Sequence, residues 1–143
     1  MKPTSPVKYE QVMGDVLTAL AGVHNVIDTH TVEPGLQHLV RLRASQINKC
    51  GFCVKMHTAD ARRDGETNTR LDRVIVWEHV NDFTEREQAA LAWTEALTIN
   101  DANIDLGALR ARLRACFTED EIGALTADIA MINLWNRINV SKH

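Results

Sequence analysis

Residues 36–65 read LQHLVRLRASQINKCGFCVKMHTADARRDG, and their apolar side chains follow the period of a helix rather than the alternation of a strand. In the first half of this segment the apolar stripe consists of Leu36, Leu39, Val40 and Ile47. A second helix is predicted to begin near Asn48 to Cys50, and Gly65 suits the left-handed backbone position that closes a helix. The segment therefore predicts two consecutive helices that meet beside a Cys-x-x-Cys pair.

The rest of the chain shows the same helical period. The first predicted helix carries a stripe made of Val12, Val16, Leu20 and Val23. Two Thr-x-x-Glu patterns, beginning at Thr84 and Thr118, are typical of capping boxes at helix starts. The chain has 143 residues, close to the commonest size of a domain. We predict one all-α domain over residues 1–143, a bundle of roughly seven helices.

The overall composition limits the classes of function. The formal net charge is −3, which gives no electrostatic reason to expect binding to nucleic acid or to an anionic membrane. The N-terminal residues lack the apolar core of a secretory signal, and the apolar runs are too short to span a bilayer. Three cysteines, two of them only three residues apart, do not suggest a disulfide-stapled secreted domain. We expect a cytoplasmic protein.

The pair Cys50 and Cys53, followed by His57, carries the chemistry. On a helix, residues three and four apart are neighbours with Cβ atoms about 5–6 Å apart, so a modest adjustment lets the two cysteines form a disulfide. His57 lies on the same face as Cys53 because it follows it by four residues. Three reactive groups are therefore expected on one helix face.

The expected environment favours a reactive thiol. The N-terminus of a helix stabilises a thiolate, and a nearby imidazole can take the thiol proton. Such surroundings lower the pKa of a cysteine from about 8.5 to about 3.5–7.5. The thiolate can attack the O–O bond of a peroxide to give a sulfenic acid, which a second thiol condenses to a disulfide. The pattern favours a thiol redox centre.

Two other interpretations of the cysteines stay open on spacing alone. Cys50, Cys53 and His57 could ligate zinc, although a closed zinc site needs four ligands and the chain has no second Cys-x-x-Cys and no His-x₃₋₅-His pattern. The cysteines could also be inert packing residues. Cys116, beside Phe117, is expected to be a small buried apolar residue.

Residues 39–57 resemble the core of the alkyl hydroperoxidase D (AhpD)-like proteins, within the carboxymuconolactone decarboxylase superfamily. The resemblance continues through Ala59–Gly65, Trp77, FTEREQAALAWTEALT at 83–98 and INLWNRIN at 132–139. It implies an all-helical fold and a homo-oligomer, a trimer or a hexamer. It also implies a peroxidase of the peroxiredoxin type that needs no haem, flavin or metal. The implied partners are a hydroperoxide substrate and a dithiol reductant, either a protein or a lipoyl group.

The resemblance also implies roles for the site residues. Cys53 corresponds to the peroxidatic cysteine, Cys50 to the resolving cysteine, and His57 to a member of the proton relay that deprotonates Cys53. Where described members carry a relay glutamate, twelve residues before the first cysteine, this chain has His38. His38 can accept a proton but supplies no fixed negative charge. It is a candidate relay residue.

Several other residues near the cysteine pair or elsewhere in the chain carry expectations of their own. Phe52 stands where described members have a histidine between the cysteines. Glu33 is either a second candidate for the missing charge or a solvated surface residue. Arg41 is expected to be solvated or salt-bridged, His24 has no partner visible in the sequence, and Trp135 is expected to anchor helix packing or subunit contacts.

Two rival functions accompany the peroxidase interpretation. One is a cofactor-free decarboxylase of the same superfamily, which would have no use for two thiols. The other is a redox-sensing stress protein that switches through the disulfide and turns over little.

Overall fold

The computed structural model describes residues 4–142, and within that range the chain forms eight α-helices, one 3₁₀ segment and no strand. The helices are α1 Tyr9–Val12, α2 Gly14–Ile27, α3 Pro34–Ile47, α4 Gly51–Arg63, α5 Asn68–Arg73, α6 Glu85–Ile99, α7 Leu106–Arg114 and α8 Glu119–Val140. The 3₁₀ segment, Val74–His79, follows α5 directly. The all-α prediction is confirmed, while the single-domain assignment stays a prediction. No helix in the described range is long and apolar enough to cross a membrane.

The number of helices differs slightly from the expectation for local backbone reasons. Met13 adopts φ −143° and ψ 40°, which separates the four-residue α1 from α2. Residues 68–79 form α5 and the 3₁₀ segment rather than one helix, because Val76 leaves helical geometry at φ −122° and ψ 28°. Both predicted capping boxes are confirmed: the hydroxyls of Thr84 and Thr118 accept from the backbone N–H of Glu87 and Glu121, and each threonine N–H donates to the carboxylate of the same glutamate.

α3 is the central helix, and it is apolar on two sides. Leu36 and Val40 belong to a core cluster formed with α6, α7 and α8. Leu39 and Leu42 face a second cluster that α4, α5, α6 and the 3₁₀ segment complete. A helix that is apolar around most of its circumference is buried, and α3 accordingly packs against α4, α6 and α8.

The turn between α3 and α4 positions the cysteine pair. Lys49 takes a left-handed conformation at φ 55°, and its N–H donates to the carbonyl of Gln46 at 3.2 Å. The N–H of Cys50 donates to the carbonyl of Ser45 at 3.0 Å. These two bonds form a Schellman motif. The last residue of this motif, Cys50, is also the N-cap of α4, so the end of one helix fixes the start of the next.

α4 ends as predicted. Gly65 has φ 99°, and the N–H groups of Gly65 and Glu66 donate to the carbonyls of Arg62 and Ala61. The predicted helix end at Gly65 is therefore confirmed as a second Schellman motif.

The packing face of α2 differs from the predicted stripe. The face that meets α8 carries Leu17, Leu20, His24 and Ile27. Of the predicted stripe Leu20 is half-buried on that face, while Val16 is 47% exposed and Val23 is 40% exposed at its edge. The helical period of α2 agrees with the prediction, but the buried side of the helix is turned away from the predicted stripe.

Candidate functional site

The two cysteines lie at the N-terminus of α4. Cys50 is the N-cap and Cys53 lies in the first turn, and their sulfurs are joined in a disulfide with the Cα atoms 5.2 Å apart. The backbone N–H of Cys53 donates to Cys50 Sγ at 3.3 Å. Both residues are buried, with exposures of 2% for Cys50 and 1% for Cys53. The predicted proximity of the pair is confirmed, and the pair is capable of reversible oxidation.

A cavity of about 430 Å³ reaches Cys53. Cys53 and His57 line it together, one turn apart on α4, whereas Cys50 is not among its lining residues. The cavity is lined further by the apolar side chains of Leu17, Phe52, Met56, Ile132, Trp135 and Ile138. Of the two cysteines, Cys53 is therefore the one that borders the cavity.

His57 is buried without a hydrogen-bond partner. The residue is 6% exposed, and neither ring nitrogen is bonded to another group of the described chain. Burial, and then the positive charge of Arg41, lower the pKa of His57 to about 4, while Asp60 acts in the opposite direction. The ring is therefore neutral near pH 7, with a lone pair available to accept a proton.

His38 does not line this cavity. Its Nε2–H donates to the Asp64 carboxylate at 2.6 Å, and its Nδ1 is buried without a partner. This bond holds the pKa of Asp64 below its usual range. His38 carries its own carboxylate partner, which no local pattern in the sequence indicates because the two residues lie 26 positions apart.

Of the two interpretations of Glu33, the relay charge is wrong, and the residue lies at the surface. Its carboxylate is bonded to the guanidinium of Arg86 at 2.8 Å and does not reach the cavity. Cys116 is only half-buried, rather than fully buried, and packs at the edge of the first core cluster.

Arg41 is a residue of the cavity that sequence reasoning did not assign to the site. Its Nε and Nη2 donate to both oxygens of Asp128 at distances of 2.9–3.1 Å. Asp128 lies on α8, is 1% exposed and does not line the cavity. A salt bridge was one of the two expectations for Arg41, but its partner lies 87 residues away, beyond any local pattern.

His24 and Trp135 form another part of the cavity wall. Trp135 Nε1–H donates to His24 Nε2 at 2.7 Å, and the two rings stack with centroids 6.2 Å apart. Burial, followed by the charge of Arg41, lowers the pKa of His24, while Asp128 acts against this effect. The neutral form of His24 agrees with its role as acceptor, since the indole N–H can only donate. Trp135 thus does more than anchor the helices, because it shapes the cavity.

Among residues 4–142 there is no group of three or more His, Cys, Asp or Glu side chains arranged to hold a metal ion. The zinc interpretation therefore finds no ligand set in the described part of the chain.

Comparison with known proteins adds the family. The sequence profile of the carboxymuconolactone decarboxylase family matches residues 14–96, which include the whole Cys-x-x-Cys-x-x-x-His segment. The chain belongs to this family. The uncharacterized protein YdfG of Bacillus subtilis is 29% identical over 94% of this chain and 92% of its own length. The uncharacterized protein YnjA of Escherichia coli is 32% identical over 76% of this chain, which spans 59% of YnjA.

Solved structures support the same assignment. ATU0492 of Agrobacterium tumefaciens, a protein of unknown function for which the antioxidant defence role of AhpD has been suggested, matches with a TM-score of 0.90. It is 34% identical, and the match covers 97% of this chain and 95% of that one. The debrominase Bmp8 shares the fold at 22% identity with a TM-score of 0.80, over 90% of this chain and 69% of its own. The AhpD-like resemblance of the sequence is confirmed.

Proposed function

We propose that this protein is a thiol-dependent peroxidase that reduces hydroperoxides through the Cys50–Cys53 pair and is recycled by a dithiol. The observation that carries the proposal is the position of Cys53 on a largely apolar cavity, beside the neutral ring of His57 and bonded to Cys50. Family membership supports it, and so does the AhpD role suggested for ATU0492.

The first step of the proposed reaction makes a thiolate. With both cysteines reduced, a ring nitrogen of His57 accepts the proton of the Cys53 thiol. The neutral ring suits this role because a histidine that is already protonated cannot act as a base. The N-terminal end of α4 adds a favourable dipole at the sulfur.

The thiolate then attacks the hydroperoxide. Cys53 sulfur bonds to the terminal oxygen, the O–O bond breaks, and the products are a sulfenic acid on Cys53 and an alkoxide. The alkoxide takes the proton from His57 and leaves as an alcohol. The Cys50 thiol next condenses with the sulfenic acid, which releases water and forms the disulfide. An external dithiol supplies two electrons and two protons to restore both thiols.

The walls of the cavity favour an organic hydroperoxide over hydrogen peroxide. Apolar and aromatic side chains dominate the lining, and burying an organic group against them releases ordered water. The need for a steady supply of reduced dithiols is the reason that we propose a cytoplasmic location.

Single cysteine variants test the order of the two thiols. Cys53→Ser is expected to abolish consumption of cumene hydroperoxide. Cys50→Ser is expected to react once and to stop as a sulfenic acid, which a dimedone adduct on Cys53 reveals by mass spectrometry. Cys116→Ser is the matched control and should consume hydroperoxide at the rate of the wild type. A Cys50→Ser variant that shows no first oxidation would reverse the assigned roles.

The rival functions give different outcomes in the same series. A redox sensor would form the disulfide with hydroperoxide but would turn over slowly with any dithiol, and would change its assembly state on oxidation. A decarboxylase of the family type would keep its activity on a cyclic lactone acid in a Cys50→Ala, Cys53→Ala double variant.

A further inference from the structure

The guanidinium of Arg41 has no part in the reaction steps proposed above. Arg41 lies on α3 and lines the cavity together with Cys53 and His57. Asp128 binds the Nε and Nη2 edge of its guanidinium, and Nη1 has no hydrogen-bond partner among residues 4–142. The carboxylate lies behind the guanidinium, since Asp128 is buried and is not part of the cavity lining. The positive end of this ion pair is therefore presented to the cavity.

A thiolate on Cys53 needs such a charge. The residue is almost fully buried, and a buried anion is unfavourable unless a nearby charge or hydrogen bond compensates it. His57 cannot supply the stabilising charge before proton transfer, because its ring is neutral. The same cation that disfavours a proton on His57 favours a negative charge on the neighbouring sulfur.

The other charged groups around the cavity do not replace Arg41. Asp60 on α4 is paired with Arg63 at 3.0 Å, and Lys142 is paired with Glu10 at 2.6 Å where α1 meets the end of α8. The two other histidines near His57 are His24, which accepts from Trp135, and His38, which donates to Asp64. Among the described groups that line the cavity, Arg41 is therefore the cation whose counter-ion lies outside it.

We propose that Arg41 is a further catalytic residue, whose guanidinium contacts and stabilises the thiolate of Cys53, and that Asp128 is the positioning residue that holds it. The proposal rests on the thiol peroxidase function argued above. It requires no additional reactant, because it assigns a counter-charge to the thiolate that the reaction already forms.

The test is the pKa of Cys53, measured without any hydroperoxide. In the Cys50→Ser, Cys116→Ser background Cys53 is the remaining thiol, and its ionisation is followed by the ultraviolet absorbance of the thiolate. Arg41→Gln together with Asp128→Asn removes the cation without leaving a buried carboxylate unpaired. We expect this change to raise the pKa of Cys53 by about 1 to 3, the usual effect of a nearby opposite charge. Arg41→Lys keeps the positive charge, so the pKa of Cys53 should rise by no more than half as much as in the double variant.

Arg43→Gln is the matched control on the same helix. Arg43 pairs with Glu95 at 2.7 Å and does not line the cavity, so the pKa of Cys53 should not change. The proposal is overturned if Cys53 in the folded Arg41→Gln, Asp128→Asn variant keeps the pKa that it has in the parent Cys50→Ser, Cys116→Ser protein. It is also overturned if Arg43→Gln shifts this pKa equally. If the pKa shifts as expected but the wild type consumes no hydroperoxide, the peroxidase function fails while the role of Arg41 stands.

Discussion

At the residue scale the site combines a buried sulfur, a neutral histidine and a fixed guanidinium. Cys53 and His57 were predictable, because their spacing of four residues places them on one helix face. Arg41 and Asp128 were not, because their pairing depends on how α3 packs against α8. The sequence therefore predicts the reactive groups, while the charge around them follows from tertiary packing.

The burial of His57 predicts a dependence of stability on pH. The pKa of His57 is about 4 in the folded protein, below the value of about 6.5 expected when unfolded. Between these values the unfolded chain binds more protons, so the contribution of His57 to stability is full above pH 6.5 and declines as the pH falls towards 4. We expect the free energy of unfolding to lose about 3 kcal/mol over this range relative to His57→Gln.

Urea unfolding at closely spaced pH values measures this difference. The free energies of unfolding of the wild type and of His57→Gln, plotted against pH, should converge as the pH is lowered from 6.5 to 4. Parallel curves would contradict a neutral buried His57, as would a ring that titrates near pH 6.5 by NMR.

At the element scale, the helix ends decide where the cysteines lie. The capping boxes at Thr84 and Thr118 and the end at Gly65 were readable, since each uses a residue typical of its position. The end of α3 was harder to place, because Lys49 holds the left-handed position that glycine usually fills. The kink at Val76 has no sequence signal either, and it lies in the 3₁₀ segment that follows α5.

Lys49→Gly is expected to stabilise the protein. A left-handed conformation is unfavourable by about 1–2 kcal/mol for a residue with a Cβ, and glycine avoids this cost while losing some entropy on folding. We expect a net gain of about 0.5–1 kcal/mol in the free energy of unfolding. Chemical denaturation of the reduced protein measures it.

Lys55→Gly is the control for this substitution. Lys55 is exposed within α4, where a change to glycine should lower the free energy of unfolding by about 1 kcal/mol. Equal losses for Lys49→Gly and Lys55→Gly would show that the turn places no special demand on residue 49.

At the scale of the whole molecule, α2 leaves apolar side chains that its own chain does not cover. One face of α2 packs on α8, while Val16, Val23 and Val26 beside that face are all exposed. Apolar side chains that cluster on an exposed surface mark a contact site. We propose that these three valines contact a second copy of the chain in a homo-oligomer, a trimer or a hexamer.

Charges at the exposed valines should break the assembly. Val16→Glu with Val23→Glu places two carboxylates at these positions, where burial in an interface would be unfavourable. We expect sedimentation velocity to show a smaller species than the wild type. Asn25→Glu, an exposed position on another side of α2, should leave the assembly unchanged. A wild type that sediments as a monomer would contradict the proposed interface.

A stoichiometric oxidation tests the central claim most directly. The fully reduced protein, with its three thiols, is mixed with one equivalent of cumene hydroperoxide, and free thiols and the alcohol product are counted. We predict the loss of two thiols, those of Cys50 and Cys53, for each alcohol formed, with Cys116 still free. Retention of all three thiols with the hydroperoxide intact would contradict a thiol peroxidase.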